Sequence, residues 1–440
     1  MSDDGAGSVR GIRTIAVGAL SRVEGEGALR VRVVDGRAEI VEFNIYEPPR
    51  FFEKFLVGRP LAEVPDLVAR ICGICPVAYQ LTACRALEKA LVVEPDPAVA
   101  PLRRLLYCGE WIQSHALHVH LLHLPDFLGY ESGFAMAADH PALVEAGFRM
   151  KALGNRVMEV VGGRAVHPVN VAVGGFHRWP EAAAVRGLVP DLERGLADAL
   201  ELVSRVADLP FPTLAPEAEE VALAHPDEYP ILEGRIASSA GLVADVDDFR
   251  AHFAERQVPW STALHCLREP GGTPYRVGAL ARVNLCRDRL PPRAARAAAA
   301  AGLGRPERNP FRSIVARAVE IAAACEEGMA LAAAWDRGTR GPCAALPARA
   351  GAGAHATEAP RGLLWHRYAF DAAGRIEAAA IVPPTSQNQA RIEADLRAGL
   401  PEALAMDDAG ATLRCEQLVR SYDPCISCAT HFLTVRIDRP

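Results

Sequence analysis

No apolar run in the chain approaches the roughly 18 consecutive residues that a membrane-spanning helix needs. Clusters of Lys and Arg are absent too, and the formal net charge is −6, so nothing marks a nucleic-acid surface. The N-terminus, Met-Ser-Asp-Asp-Gly-Ala-Gly-Ser, has no apolar core and does not read as a signal peptide. A disulfide framework is missing as well, since the 11 cysteines are odd in number and scattered over 440 residues. These absences place the chain in a reducing, cytoplasmic setting. No internal repeat or long low-complexity linker breaks it up. Composition is that of a soluble globular protein, 50% apolar and 23% charged. The length allows one large core or two.

The hydrophobic pattern predicts a small antiparallel β element and then long helices. Residues 29–33 alternate, Asp35-Gly36 supplies a turn, and 38–43 return as a second strand. Helices are predicted over 61–68, 77–91, 101–124, 141–161, 182–209, 293–302 and 311–335. Pro76 suits a first turn, and Pro125, Gly162-Gly163 and Pro210 act as stops. The stretch 211–272 is mixed. Residues 341–353 read as a surface loop, and 362–381 as strands around an Ala-Gly turn, ended by Pro383-Pro384. A short helix follows at 389–398, and the first ten residues read as a disordered tail. The fold class is α+β and mainly helical, a long-helix bundle with a small N-terminal antiparallel β element.

Two stretches at opposite ends carry the chemistry. Arg70-Ile71-Cys72-Gly73-Ile74-Cys75-Pro76 and Asp423-Pro424-Cys425-Ile426-Ser427-Cys428 each hold a Cys-x-x-Cys pair. At that spacing a tight turn puts two thiolates on one side, where they chelate a soft or borderline metal ion. One pair alone fits half a zinc site, a redox dithiol or chance. Two pairs supply four sulfurs, but across nearly the whole chain, so only the fold can unite them. On spacing alone a structural four-cysteine zinc site leads. The other seven, Cys84, Cys108, Cys266, Cys286, Cys325, Cys343 and Cys415, lack cluster spacing and read as small structural hydrophobes. His115, His118, His120 and His123 share a predicted helix. Spacing of i, i+3 pairs His115 with His118 and His120 with His123, in packing roles ahead of a second metal site.

The flanking residues make the pattern specific. Arg70 through Pro76-Val77-Ala78-Tyr79, and Asp423 through Cys428-Ala429-Thr430-His431, resemble the two cysteine motifs of the large subunit of [NiFe] hydrogenases. The likeness extends to Ser21-Arg22-Val23-Glu24-Gly25-Glu26-Gly27 and to Phe51-Phe52-Glu53-Lys54-Phe55-Leu56-Val57-Gly58-Arg59. It continues in Gly162-Gly163-Arg164-Ala165-Val166-His167-Pro168 and Glu358-Ala359-Pro360-Arg361-Gly362, and so covers most of the chain. The Cys-Pro-Val-Ala-Tyr wording is most similar to the cytoplasmic NAD(P)-linked branch, of bidirectional and sulfhydrogenase type. Tyr79 stands where many relatives have histidine, and Ser386-Gln387-Asn388-Gln389 where Trp-Asn is frequent.

The resemblance implies reversible heterolytic cleavage of H2. By it, Cys72 and Cys425 are terminal nickel ligands, while Cys75 and Cys428 bridge to an iron carrying carbon monoxide and cyanide. Among the catalytic residues, Glu24 passes protons from a terminal thiolate, with Glu26 a competitor in the same loop. Arg361 overhangs the open face and pairs with Asp126. Pro384 and Thr385 line a cyanide pocket. Glu53 and His431 hold a magnesium-type ion, completed by a backbone carbonyl near Gln389. Lacking cluster cysteines of its own, the chain would pass electrons to an iron–sulfur small subunit, then to flavin and NAD(P) diaphorase subunits. One domain would span 1–431. Residues 432–440 would be a tail removed by a maturation endopeptidase once nickel is in place. The rivals are a hydrogen sensor with the same metals, a complex I-type subunit, and the zinc protein. The complex I-type relative loses the cysteines that are present here.

Overall fold

The computed structural model describes residues 12–430. Its N-terminal sheet has the expected hairpin and one strand more. Strands β1 (Ile12–Val17), β2 (Gly27–Val34) and β3 (Arg37–Ile45) pair antiparallel in that order. Asp35 and Gly36 turn the hairpin with φ of 49° and 76°, the left-handed pair that a two-residue turn demands. Alternation then decides the faces. Leu29, Val31, Val33, Val41, Phe43 and Ile45 are buried, and they pack on the last two helices of the chain.

The helical body is built from α1 (Pro76–Leu91), α2 (Val99–Ala116), α3 (Pro141–Gly162), α4 (Val189–Ala207) and α5 (Ser313–Ala334). Helix α5 is apolar on nearly every face and lies between α2 and α4, as a helix without a wet side must. Strands β4 (Gly351–Ala359), β5 (Gly362–Phe370) and β6 (Ile376–Val382) form an antiparallel sheet on α1. Helices α6 (Pro384–Leu404) and α7 (Asp408–Ser421) follow and deliver the second cysteine pair. Among the described residues no helix is long and apolar enough to cross a membrane.

Four elements depart from expectation. The 101–124 helix does not stop at Pro125. After Ala116 it continues as a π-helical stretch, Leu117–His123, and then as Leu124–Leu128. Pro125 has no N–H to give the carbonyl of Leu121, and the wider turn carries the chain past it. The 182–209 helix is two, Ala182–Arg186 and α4, parted at Gly187-Leu188, with Pro190 in the first turn of the second. Pro384 starts a helix rather than only ending a strand, and α6 runs well beyond 389–398 at both ends. The 341–353 loop gives way to strand at Gly351.

Helices α2 and α3 touch backbone to backbone. A Cβ at Gly154 would lie 2.5 Å from both the amide nitrogen of Gln113 and the carbonyl oxygen of Gly109. Alanine's better helix propensity is worth up to about 1 kcal/mol. Overpacking against atoms that cannot rotate away costs about 1–3 kcal/mol. Gly154→Ala is therefore expected to destabilise the chain by on the order of 1 kcal/mol in denaturant unfolding; a gain would mean that the helices part freely.

Candidate metal centre

The first pair sits in the turn between the short helix Val64–Ala69 and α1. Cys72 Sγ accepts the N–H groups of Ile74 and Cys75, each at 3.3 Å. Helix α2 grips the same turn from one side. Gln113 donates its amide to the Ile74 carbonyl, and the Glu110 carboxylate accepts from Val77 N at 2.6 Å and Ala78 N at 3.0 Å. Burial pushes the Glu110 carboxyl well up, against the pull of those two N–H groups.

The second pair follows α7. A backbone bridge joins Cys425 to Glu24, and Ile426 N donates to the Glu24 carbonyl at 2.9 Å. Gly25 makes this approach possible: its φ is 86°, and a Cβ there would lie 2.7 Å from Ile426. The hydroxyl oxygen of Thr385, in the first turn of α6 behind Pro384, accepts Cys425 N–H at 3.0 Å. Arg50 donates to the carbonyls of Ile71 and Ser427, one from each cysteine loop.

All four cysteines are buried, with their sulfurs within 4.8 Å of one another. Cys72 lies 3.5 Å from Cys425, and Cys75 3.9 Å from Cys428. Neighbouring thiols, Cys425 first, hold Cys72 well below the usual thiol range, with Arg361 helping, while burial pushes Cys425 well up. Among the described residues these four are the one group of His, Cys, Asp or Glu spaced to hold a metal ion.

The polar groups around the sulfurs are directional. Glu24 Oε2 is 3.0 Å from Cys425 Sγ and also accepts Ser427 N–H at 3.1 Å. Glu26, its competitor in the same loop, faces solvent. Arg361 donates through Nε and Nη2 to Asp423, at 2.8 Å to the carbonyl and 3.1 Å to the carboxylate. Its Nη1 has no hydrogen-bond partner, and its charge is felt by Cys425, Cys75 and Cys72. Burial would lower the guanidinium pKa, but Asp423 and the sulfurs raise it well above its ordinary value.

Asp126 does not pair with Arg361. Its carboxylate is fully buried between Arg420, at 2.7 and 2.9 Å, and Arg22 at 2.6 Å. The turn after the π stretch aims Asp126 at α7, while Arg361 takes the acid next to the cysteines. Asp423 lies inside the Asp-Pro-Cys motif of the second pair, two residues before Cys425, a sequence signal that could have identified it. Glu53 is buried and accepts Ile381 N–H at 2.8 Å; burial, then the nearby Glu53, pushes Glu255 up to about 8. The Gln389 side chain bonds Ser261 and Leu264. His431 lies outside the described residues.

The four histidines are all buried and serve packing. His115 contacts Glu320 at 3.0 Å, while His118 and His120 bond the carbonyls of Arg420 and Leu143. The π turn brings His118 against His123, ring centroids 5.0 Å apart, instead of the i, i+3 pairs. Six of the seven remaining cysteines are buried; Cys343 is exposed, and none forms a disulfide.

Four soft thiolates suit nickel and iron by donor chemistry. A structural zinc site is closed by its own ligands and needs no acid or base beside it. Here a carboxylate touches one sulfur, and a partly unpartnered guanidinium faces the group. Fold and site together define the catalytic subunit of a thiolate-bound metal oxidoreductase. The profile of nickel-dependent hydrogenases matches residues 50–146 and 312–431. The alpha subunit of sulfhydrogenase 1 from Pyrococcus furiosus is 33% identical over 428 residues, 95% of this chain and 97% of that one. The beta subunit of the NAD-reducing hydrogenase HoxS of Cupriavidus necator is 28% identical, spanning 96% of this chain and 95% of that one. The crystal structure of an NAD+-reducing [NiFe]-hydrogenase in the H2-reduced state superposes with a TM-score of 0.85 at 28% identity, covering 95% and 99% of the two chains. The chain belongs to the nickel-dependent hydrogenase family, as a catalytic large subunit with a four-cysteine site spaced to hold metal.

Breaking a buried ion pair from one side costs about 3–5 kcal/mol. Asp126→Asn leaves two arginines short of a counter-charge, so urea unfolding is expected to show a loss on the order of 3 kcal/mol. Unchanged stability would return Asp126 to a role at the metals.

Proposed function

We propose that this large subunit works in a cytoplasmic, NAD(P)-linked hydrogenase complex, and that Glu24 is its proton acceptor. The observation that carries the proton role is the 3.0 Å contact between Glu24 Oε2 and Cys425 Sγ. Cys72, Cys75, Cys425 and Cys428 would hold nickel and iron, the iron with carbon monoxide and cyanide, and the metals would supply the chemistry that polarises H2. The protein does the rest. A proton arriving on the Cys425 sulfur needs an acceptor within hydrogen-bond reach, and Glu24 is that group. Ser427 N–H fixes the carboxylate in place. Arg361 brings fixed positive charge over the buried sulfurs, where a low dielectric makes it count. Asp423 holds that guanidinium in orientation. The Thr385 oxygen accepts Cys425 N–H, so its own O–H would be left to donate to a cyanide nitrogen, with Pro384 next to it in the chain.

Glu53 and His431 are assigned to a magnesium-type ion that ties the C-terminus beside the cysteines. Electrons leave to an iron–sulfur small subunit, because the seven other cysteines do not cluster, and pass on to flavin and NAD(P) subunits. The domain ends at His431, and an endopeptidase removes 432–440 after nickel insertion. What favours the NAD(P) branch is the likeness to the sulfhydrogenase and NAD-reducing relatives over nearly full length.

Three measurements test this. Infrared spectra of the purified complex should contain carbonyl and cyanide bands, with one nickel per chain by metal analysis; zinc in place of nickel would sink the assignment. Glu24→Gln should keep its nickel yet lose turnover by about 100-fold or more, the usual weight of a positioned proton acceptor. Full activity in that variant would move the proton route elsewhere. Intact mass of active enzyme should end at His431, and an active chain carrying 432–440 would refute the processing step.

A further inference from the structure

Cys75 is the N-cap residue of α1, yet its side chain makes no cap bond. An N-cap side chain ordinarily accepts the N–H of the second or third helical residue. Here the first helical residue is Pro76, which has no N–H, and the next two N–H groups, of Val77 and Ala78, are both taken by Glu110. Glu110 reaches them from α2, is fully buried, and uses one oxygen for each. Every donor at the start of α1 is thereby diverted from the Cys75 sulfur. Cys72 is treated in the opposite way, since its sulfur accepts two backbone N–H groups. An N–H···S bond draws electron density from a thiolate and occupies a lone pair, which weakens it as a metal donor.

We propose that Glu110 is a positioning residue for the metal centre: by occupying the α1 N-terminus it keeps the Cys75 sulfur free to bind two metals at once. This rests on the bimetallic reading above. It explains why one cysteine of the first pair can bridge while its neighbour, bonded by two amides, serves a single metal. Gln113, on the same face of α2, holds the Ile74 carbonyl and fixes the turn from which both sulfurs project.

The test compares infrared spectra and nickel content of the intact complex carrying Glu110→Gln or Glu110→Ala with the parent. In Glu110→Ala, the Val77 and Ala78 N–H groups are released to Cys75. A weaker sulfur donor leaves the iron poorer in electrons, so the carbonyl band of the loaded chains should move to higher frequency. Glu110→Gln keeps one oxygen acceptor in place and should shift the band less, in the same direction, while folding more safely. Bands at the parent positions in loaded chains, even with a lower melting temperature, would reduce Glu110 to a helix cap and overturn the proposal. Parent enzyme without carbonyl and cyanide bands would instead refute the bimetallic reading itself.

Discussion

Four sulfurs from two distant parts of the chain have to share one buried pocket, and most of the architecture follows from that constraint. Thiolates packed this closely repel, and burial raises the cost of charging them. The structure answers with fixed positive charge from Arg361 and N–H donors on Cys72. Segments far apart in the chain then tie the second cysteine loop to the first. Glu24 bridges the backbone at Cys425, Thr385 holds the Cys425 amide, and Arg50 reaches a carbonyl in each loop.

Helix α2 is the element that makes these ties mutually consistent. One face holds the first cysteine turn through Glu110 and Gln113. Trp111, also on α2, donates to the carbonyl of Glu358, just ahead of Arg361 in the chain. Arg282 joins Glu358 to Glu320 of α5 at 2.9 and 2.7 Å and stacks on Trp111, while His115 of α2 meets Glu320. The arginine outweighs burial and holds Glu320 at about 2, whereas burial keeps Glu358 up at about 7. A network of this kind costs desolvation and returns geometry, because moving one charged member leaves its buried partner without a counter-charge. The glycine contact between α2 and α3 sets that beam's distance from the bundle.

Much of this was legible in residues that local rules govern. The N-terminal hairpin followed from alternation and an Asp-Gly turn. The long helices followed from periodicity and punctuation by Pro and Gly. The four cysteines, Glu24 and Arg361 were legible because their motifs are contiguous. Less was legible where partners meet across the chain. Asp126 was set against Arg361, but the carboxylate there is Asp423, and Asp126 serves Arg420 and Arg22. Glu110 lies in a helix with no motif around it. The π turn and its His118–His123 contact depend on how a helix passes Pro125, which periodicity does not register.

By itself, then, the sequence determined the donor set, the two turns that present it, and the elements on either side, since these depend on neighbours within a few residues. Tertiary structure alone decided which carboxylate meets which arginine, which sulfur of the first pair receives amide bonds, and which of two loop glutamates meets a cysteine sulfur. Those choices depend on contacts between residues up to some four hundred positions apart, such as Glu24 with Cys425 at a separation of 401. Only packing of the whole helical body brings such residues within bonding distance.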